Sequence, residues 1–420
     1  MGTVTARSIE QVFRAEHGRL VAGLIRRFGD IDLAEESLGD ALVTALRTWP
    51  EQGRPPNPGG WLATTAANKA IDRIRRESTR DARHAQAFAM TTGGPDPLLE
   101  AGAVTEQDGA IGDDRLRLIF TCCHPALAPD ARVALTLRLL GGLTAGEIAQ
   151  AFLVPEPTMS QRLTRAKRKI RTAGIPYRVP QAADLPRRLA GVLAVLYLIF
   201  NEGYLSTSAD DPIRDDLCAE AIRLTRVVRA LLPDEPEVTG LLALMLLTQA
   251  RRSARLFDGV LVPLAEQDRS LWDRTLVGEG HHLVRAYLHR NRPGPYQIQA
   301  AINAVHTDAA SVEQTDWRQI VALYDQLRAL HPSPVVELNR AVAVAELDGP
   351  AVALALVEPL DLAGYHAWHV ARADLLRRLD RPADAAAAYD RAIELTANPA
   401  EQAFLRRRRA DLDPGPDVGR

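Results

Sequence analysis

Apolar side chains return every three to four positions through almost every segment of this 420-residue chain. That is the spacing of a helix burying one face, not the two-residue alternation of a half-buried strand. Long stretches are built from Ala, Leu and Arg, which favour helix, while aromatic residues are only 5%. The pattern therefore predicts an all-α protein. Its length suits about three domains at ~150 residues each. With 51 Lys and Arg against 53 Asp and Glu, the whole chain is no polycation, so only the placement of charge can indicate a nucleic-acid partner.

The periodicity and its breaks predict helices over Val12–Phe28 and Leu33–Trp49, a loop from Pro50 to Gly60, and a helix from Trp61 to Arg76. The stretch from Ala89 to Gly112 lacks Lys and Arg and holds Gly93, Gly94, Pro95 and Pro97, as a flexible acidic linker would. Further helices are expected over Asp113–Phe120, Pro129–Leu140, Ala145–Phe152 and Thr158–Arg171, and helices alone from Leu185 to about Arg290. Beyond Arg292-Pro293-Gly294-Pro295 the chain repeats weakly at a period of about 33 residues, the spacing of tetratricopeptide helix pairs. Tyr324, Leu356 and Tyr389 would then be equivalent, each preceded four residues earlier by Ile320, Val352 or Ala385. The domain boundaries that follow are 1–88, the linker 89–112, 113–178, a helical extension domain 179–292, and repeats over 293–420.

Two segments carry chemistry. In the first, Leu143-Thr144-Ala145-Gly146-Glu147-Ile148-Ala149 begins a capped helix, and Val154-Pro155-Glu156-Pro157 breaks it. The second helix has a stripe of Met159, Leu163, Ala166 and Ile170; between Thr158 and Arg171 it contains no acid. Such a helix can set short polar and Arg side chains against base edges in a major groove and its later cations against phosphates. The other segment sets Lys69, Arg73, Arg75, Arg76, Arg80 and Arg83 behind the polar arc of Trp61. Cations following a backbone and an aromatic ring for stacking are what single-stranded nucleic acid requires, although Trp61 serves equally as an interface residue.

Residues 10–80 and 113–171 resemble regions 2 and 4 of extracytoplasmic-function (group IV) sigma factors of the sigma-70 family. The resemblance rests on Leu33-Ala34-Glu35-Glu36-Ser37-Leu38-Gly39-Asp40-Ala41, on Gly60-Trp61-Leu62-Ala63-Thr64-Thr65-Ala66-Ala67-Asn68-Lys69-Ala70-Ile71-Asp72-Arg73-Ile74-Arg75-Arg76, and on the helix-turn-helix. It departs from the family at Gly39, where Gln is usual, and at Thr64-Thr65, where Tyr-Arg is common. The resemblance implies that Glu35, Glu36 and Asp40 meet the clamp of core RNA polymerase. Asn57, Trp61, Thr65, Asn68, Lys69, Asp72, Arg75 and Arg76 would hold the melted minus-10 strand. Thr158, Ser160, Gln161, Arg162, Thr164, Arg165, Arg168 and Lys169 would read the double-stranded minus-35 element. Asp113–Pro125 and Ile199-Phe200-Asn201-Glu202-Gly203-Tyr204 further resemble a subgroup with a long helical extension ending in tetratricopeptide-like repeats. That extension would regulate activity and offer a surface to a protein or peptide partner.

The alternative is a one-component helix-turn-helix regulator with a repeat-type sensor domain, which leaves the first 80 residues without a purpose. No nucleophile–base pair or phosphate loop supports an enzyme, and neither a catalytic residue nor a cofactor is expected. Cys122-Cys123-His124 lacks the spacing of a closed metal site, so core packing is the expectation there and no metal is assigned. Asn201–Tyr204 either holds a small ligand or ends a helix with Gly203 as its cap. The most apolar run, Leu189–Phe200, is shorter than the ~20 residues of a membrane helix, and no signal peptide is evident. With only three cysteines, a cytoplasmic protein with no membrane association is expected.

Overall fold

A computed structural model of the chain describes residues 5–89, 111–152, 154–204, 215–288, 293–396 and 398–412. They form helices almost throughout, divided into two compact units: Met1–Gln150 with Val154–Val195, and Leu196–Arg420 with 151–153. The predicted linker lies mostly outside the described residues.

The first unit opens with α1 (Ala6–Phe28), α2 (Ile31–Gln52) and α3 (Pro58–Ala89). Thr5 and Ser8 cap each other's backbone amides at the start of α1, and Gly29, at φ 72°, ends it in the left-handed region. Asp30 accepts from the Leu33 amide and starts α2. Helix α1 thus begins six residues before Val12. The expected loop at Pro50–Gly60 is also shorter than its prolines implied: Pro50 lies inside the last turn of α2. The Gly53 amide still bonds the Trp49 carbonyl, so proline removes only one rung close to the helix end. Pro58 in turn occupies the first turn of α3, where its missing donor is not needed. Leu62, Ala66 and Ala70 are fully buried, whereas Ile74 is exposed.

Then follow α4 (Ile111–Cys122), α5 (Pro129–Leu139), α6 (Ala145–Ala151) and α7 (Glu156–Thr172). Helix α7 starts two residues before Thr158, with prolines at 155 and 157 framing its first turn. Met159, Leu163, Ala166 and Ile170 are its buried residues, the stripe expected from the sequence. Cys122 and Cys123 are buried free thiols whose pKa burial raises. No cluster that could hold a metal occurs among the described residues.

Helix α8 (Leu185–Tyr204) is followed in the second unit by α9 (Asp215–Leu231), α10 (Pro236–Gln249), α11 (Arg274–Leu288) and α12 (Pro295–Asp308). Helix α10 is apolar on nearly every side, and Pro236 and residues 238–248 are buried, as befits a central helix. Gly203 is buried inside α8 and does not cap it. The helices-only expectation fails between α10 and α11, where Leu256–Phe257 pairs antiparallel with Val260–Leu261 (β1 and β2). Asp258 and Gly259 turn the hairpin, both with positive φ, so the Asp-Gly signal was present in the sequence.

The remaining helices are α13 (Trp317–Leu330), α14 (Pro334–Leu347), α15 (Pro350–Val357), α16 (His366–Arg378), α17 (Pro382–Leu395) and α18 (Pro399–Ala410). Each packs on the next in sequence. Ile320, Ala385 and Tyr389 are buried, whereas Val352 and Leu356 are 47% and 38% exposed. The short α15 buries Ala353, Leu354 and Val357 instead, so the apolar register of the middle repeat is shifted by one residue. No described helix is long and apolar enough to cross a membrane.

Candidate nucleic-acid interface

Helix α7 divides its non-buried residues between two tasks. Thr158, Ser160, Gln161, Thr164, Arg165, Arg168 and Lys169 are exposed, and seven of the eight predicted minus-35 residues therefore face solvent. Arg162 is half-buried and reaches Asp130 of α5 at 3.4 Å. The Thr164 hydroxyl donates to the Ser160 carbonyl (2.9 Å).

Lys167 and Arg171, outside that set, turn to α2. The Lys167 ammonium lies 2.6 Å from Asp32 and 2.9 Å from Glu35, and Arg171 donates to Asp32 (2.9 Å). Arg138 of α5 donates from Nε to Glu35 (2.6 Å) and from Nη1 to the Leu143 carbonyl (3.0 Å). The Glu35 carboxylate is only 7% exposed. Burial opposes the charge on Lys167, but Glu35 and Asp32 outweigh it and hold its pKa above the ordinary lysine value. The two acids occupy the first turns of α2, and the two cations the last turns of α7. The helix dipoles therefore favour Asp32 in the first turn of α2 and Arg171 in the last turn of α7.

Three more contacts tie α1 to the later segments of this unit. Arg14 of α1 donates to Glu147 (2.7 Å), a carboxylate that also accepts the Thr144 amide at the start of α6. Arg26 of α1 meets the buried Asp114 of α4 at 2.6 Å. The Tyr177 hydroxyl donates to the Ala22 carbonyl (2.9 Å). Two glycines permit this approach. A Cβ on Gly18 of α1 would stand 2.9 Å from the Leu140 carbonyl oxygen, and one on Gly142 would stand 2.9 Å from the His17 ring.

Sequence reasoning missed this seam. The acid-free run that singled out α7 gave no reason to separate Lys167 and Arg171 from their neighbours. Asp32 and Glu35 are more than 130 residues away. Of the three acids expected to meet a partner, Glu35 is occupied in this way, while Glu36 and Asp40 pair with Arg73 of α3.

Along the predicted minus-10 surface, Asn57 accepts the Gly60 amide (2.9 Å) and caps the start of α3. Asn68, Asp72, Arg75 and Arg76 are exposed, and Trp61, Thr65 and Lys69 half-buried. The Trp61 ring stands edge-on to the buried Trp49, their centroids 5.4 Å apart, so it serves as packing on one side and remains accessible on another.

Comparison with known proteins gives three family matches: Sigma-70 region 2 over residues 13–80, Sigma-70, region 4 over 117–170, and a family of unknown function (DUF6596) over 188–288. An uncharacterized protein of Rhizobium meliloti (strain 1021) is 45% identical over 397 residues, 92% of this chain and 91% of that protein. The ECF RNA polymerase sigma factor SigK of Mycobacterium tuberculosis (strain ATCC 25618 / H37Rv) is 30% identical over 154 residues, 36% of this chain and 78% of that protein. SigK of Mycobacterium ulcerans (strain Agy99) is 28% identical over the same length. No solved structure matches.

Proposed function

We propose that this chain, which belongs to the sigma-70 family of RNA polymerase sigma factors, is an extracytoplasmic-function-type sigma factor that directs core polymerase to specific promoters from the cytoplasm. Members of this family are transcription initiation factors, not enzymes. In this reading α7 reads the minus-35 duplex, the start of α3 with Asn57 holds the melted minus-10 strand, and Glu35, Glu36 and Asp40 of α2 meet the clamp. The observation that carries it is the exposed face of α7 between Thr158 and Arg171, free of acids above its buried stripe. Without such a face no base edge could be reached.

The seam between α2 and α7 adds a condition. Glu35 cannot meet the clamp while Arg138 and Lys167 hold it, so the free chain is closed and core polymerase binds by competing for that carboxylate. The extension after residue 178 regulates activity, its last part acting as tetratricopeptide-like repeats that take a protein or peptide partner. The burial of Ala385, Tyr389 and Ala392 in α17 supports the repeat assignment.

Gel filtration of the full chain with purified core polymerase, followed by footprinting with and without core, tests the reading. A stable complex is expected, with promoter protection only when core is present. Tight, sequence-specific protection by the chain alone would overturn it in favour of a one-component regulator.

A further inference from the structure

Arg251, two residues past the end of α10, is only 9% exposed, yet among the described residues it has no carboxylate partner. Its Nη2 donates to the Asn303 side-chain oxygen of α12 (3.0 Å), and its buried Nε has no hydrogen-bond partner. A buried guanidinium is normally paired, because taking an ion out of water is costly unless another charge or several hydrogen bonds compensate it. Its neighbours aggravate the imbalance. His306 is pushed down to about 4, first by burial and then by Arg251 and Arg269. Arg255 is lowered by burial, with Arg251 again opposing its charge. Glu401 offsets the charge of Arg255 and Glu313 that of Arg269, but neither forms an ion pair with Arg251.

This guanidinium lines a cavity of about 240 Å³ walled by α8, α10, α12, α13 and α14 of the second unit. Tyr197, Asn201, Gln299, Asn303 and Tyr324 share the wall, and no acid and no second basic residue does. We propose that this cavity binds a small carboxylate anion, with Arg251 as its charge partner and the amide and phenol groups around it as hydrogen-bonding walls. A guanidinium fork matches a carboxylate's two oxygens, and a charge-assisted pair of this kind is among the stronger hydrogen bonds. A phosphate dianion fits less well, since one cation balances half its charge and no helix N-terminus opens onto the cavity. The alternative raised from the sequence, that Asn201–Tyr204 serves only to end a helix, gives no reason for Arg251 to lie unpaired beside Asn201. This inference does not rest on promoter recognition.

The test is calorimetric titration and melting of the full chain with sodium acetate, succinate, citrate and phosphate at matched ionic strength, with chloride as reference. Saturable binding of a carboxylate is expected, weakened roughly tenfold or more in Arg251→Met. Arg251→Lys, which keeps the charge but not the fork, should be intermediate. Tyr324→Phe should weaken binding several-fold without changing the fold, and Arg229→Met, on the exposed surface of α9, should bind normally. Without ligand, Arg251→Met should melt no lower than the parent. Should Arg251→Met fail to fold, Arg251→Lys and Tyr324→Phe decide the matter. The proposal is overturned if no carboxylate exceeds chloride, if binding survives in these variants, or if phosphate alone binds.

Discussion

Gly18→Ala separates the stability of α1 from the closure of the seam. In a helix interior, alanine is favoured over glycine by ~1 kcal/mol, so α1 itself should become no less stable. The new Cβ meets only Leu140: its carbonyl oxygen at 2.9 Å and its Cα at 3.2 Å. Carbon–oxygen contacts of this kind ordinarily settle near 3.3–3.6 Å, so α1 and the end of α5 must separate by roughly half an ångström. Leu140 is backbone at a buried helix end and cannot swing aside as a flexible side chain would. Overpacking of this size costs about 1–3 kcal/mol, charged here to the closed arrangement alone. The open fraction should rise about 5- to 150-fold, and the apparent affinity for core polymerase should rise with it until the open form predominates. Fluorescence anisotropy of the labelled full chain titrated with core, alongside a melting curve, measures both terms. Tighter core binding at unchanged or lower melting temperature is expected, because the strain falls on the populated closed form and offsets the helix gain. Unchanged or weaker core binding by a folded Gly18→Ala protein would refute the idea that the seam competes with core.

Other outcomes follow from the same structure. Trp49→Ala should destabilise the first unit by ~3–5 kcal/mol in denaturant titration, because Trp49 is 2% exposed and its indole nitrogen has no partner to lose. Ser160→Ala and Arg165→Ala should each alter the preferred minus-35 sequence in promoter selection, at ~1–3 kcal/mol per lost base contact; Lys169→Ala should weaken all sequences evenly and lower the salt dependence by about one unit. The half-buried His306, at about 4, is depressed below an unfolded value near 6.5. Its contribution is complete above pH ~6.5 and lost as the pH falls towards 4, up to about 3 kcal/mol. His306→Gln should flatten that part of the stability profile, measured by melting between pH 7 and 4.

Much of this was legible because it is local. The four-three-four spacing of Met159, Leu163, Ala166 and Ile170 dictates a helix and its buried side wherever the chain goes. A cap such as Thr144 depends only on the three residues after it. Pro50 misled because proline near a helix end removes a single rung, which a residue-by-residue rule treats as a break. Val352 and Leu356 misled because a short helix can slip its buried face by one residue while the turns keep their spacing. The seam was not legible at all: Asp32 and Lys167 are ordinary surface charges until two separate domains are docked. Arg251 beside Arg252 likewise reads as a solvated pair between helices, and only the packing of α10 against α12 buries it.

The most direct measurement is genome-wide mapping of transcript starts made by purified core polymerase with and without this chain. The account predicts new starts, each preceded at fixed spacing by one shared minus-35 and minus-10 pair, which vanish when the acids of α2 are replaced by Glu35→Gln, Glu36→Gln and Asp40→Asn together. Starts identical to those of core alone, or new starts that survive those replacements, would contradict it.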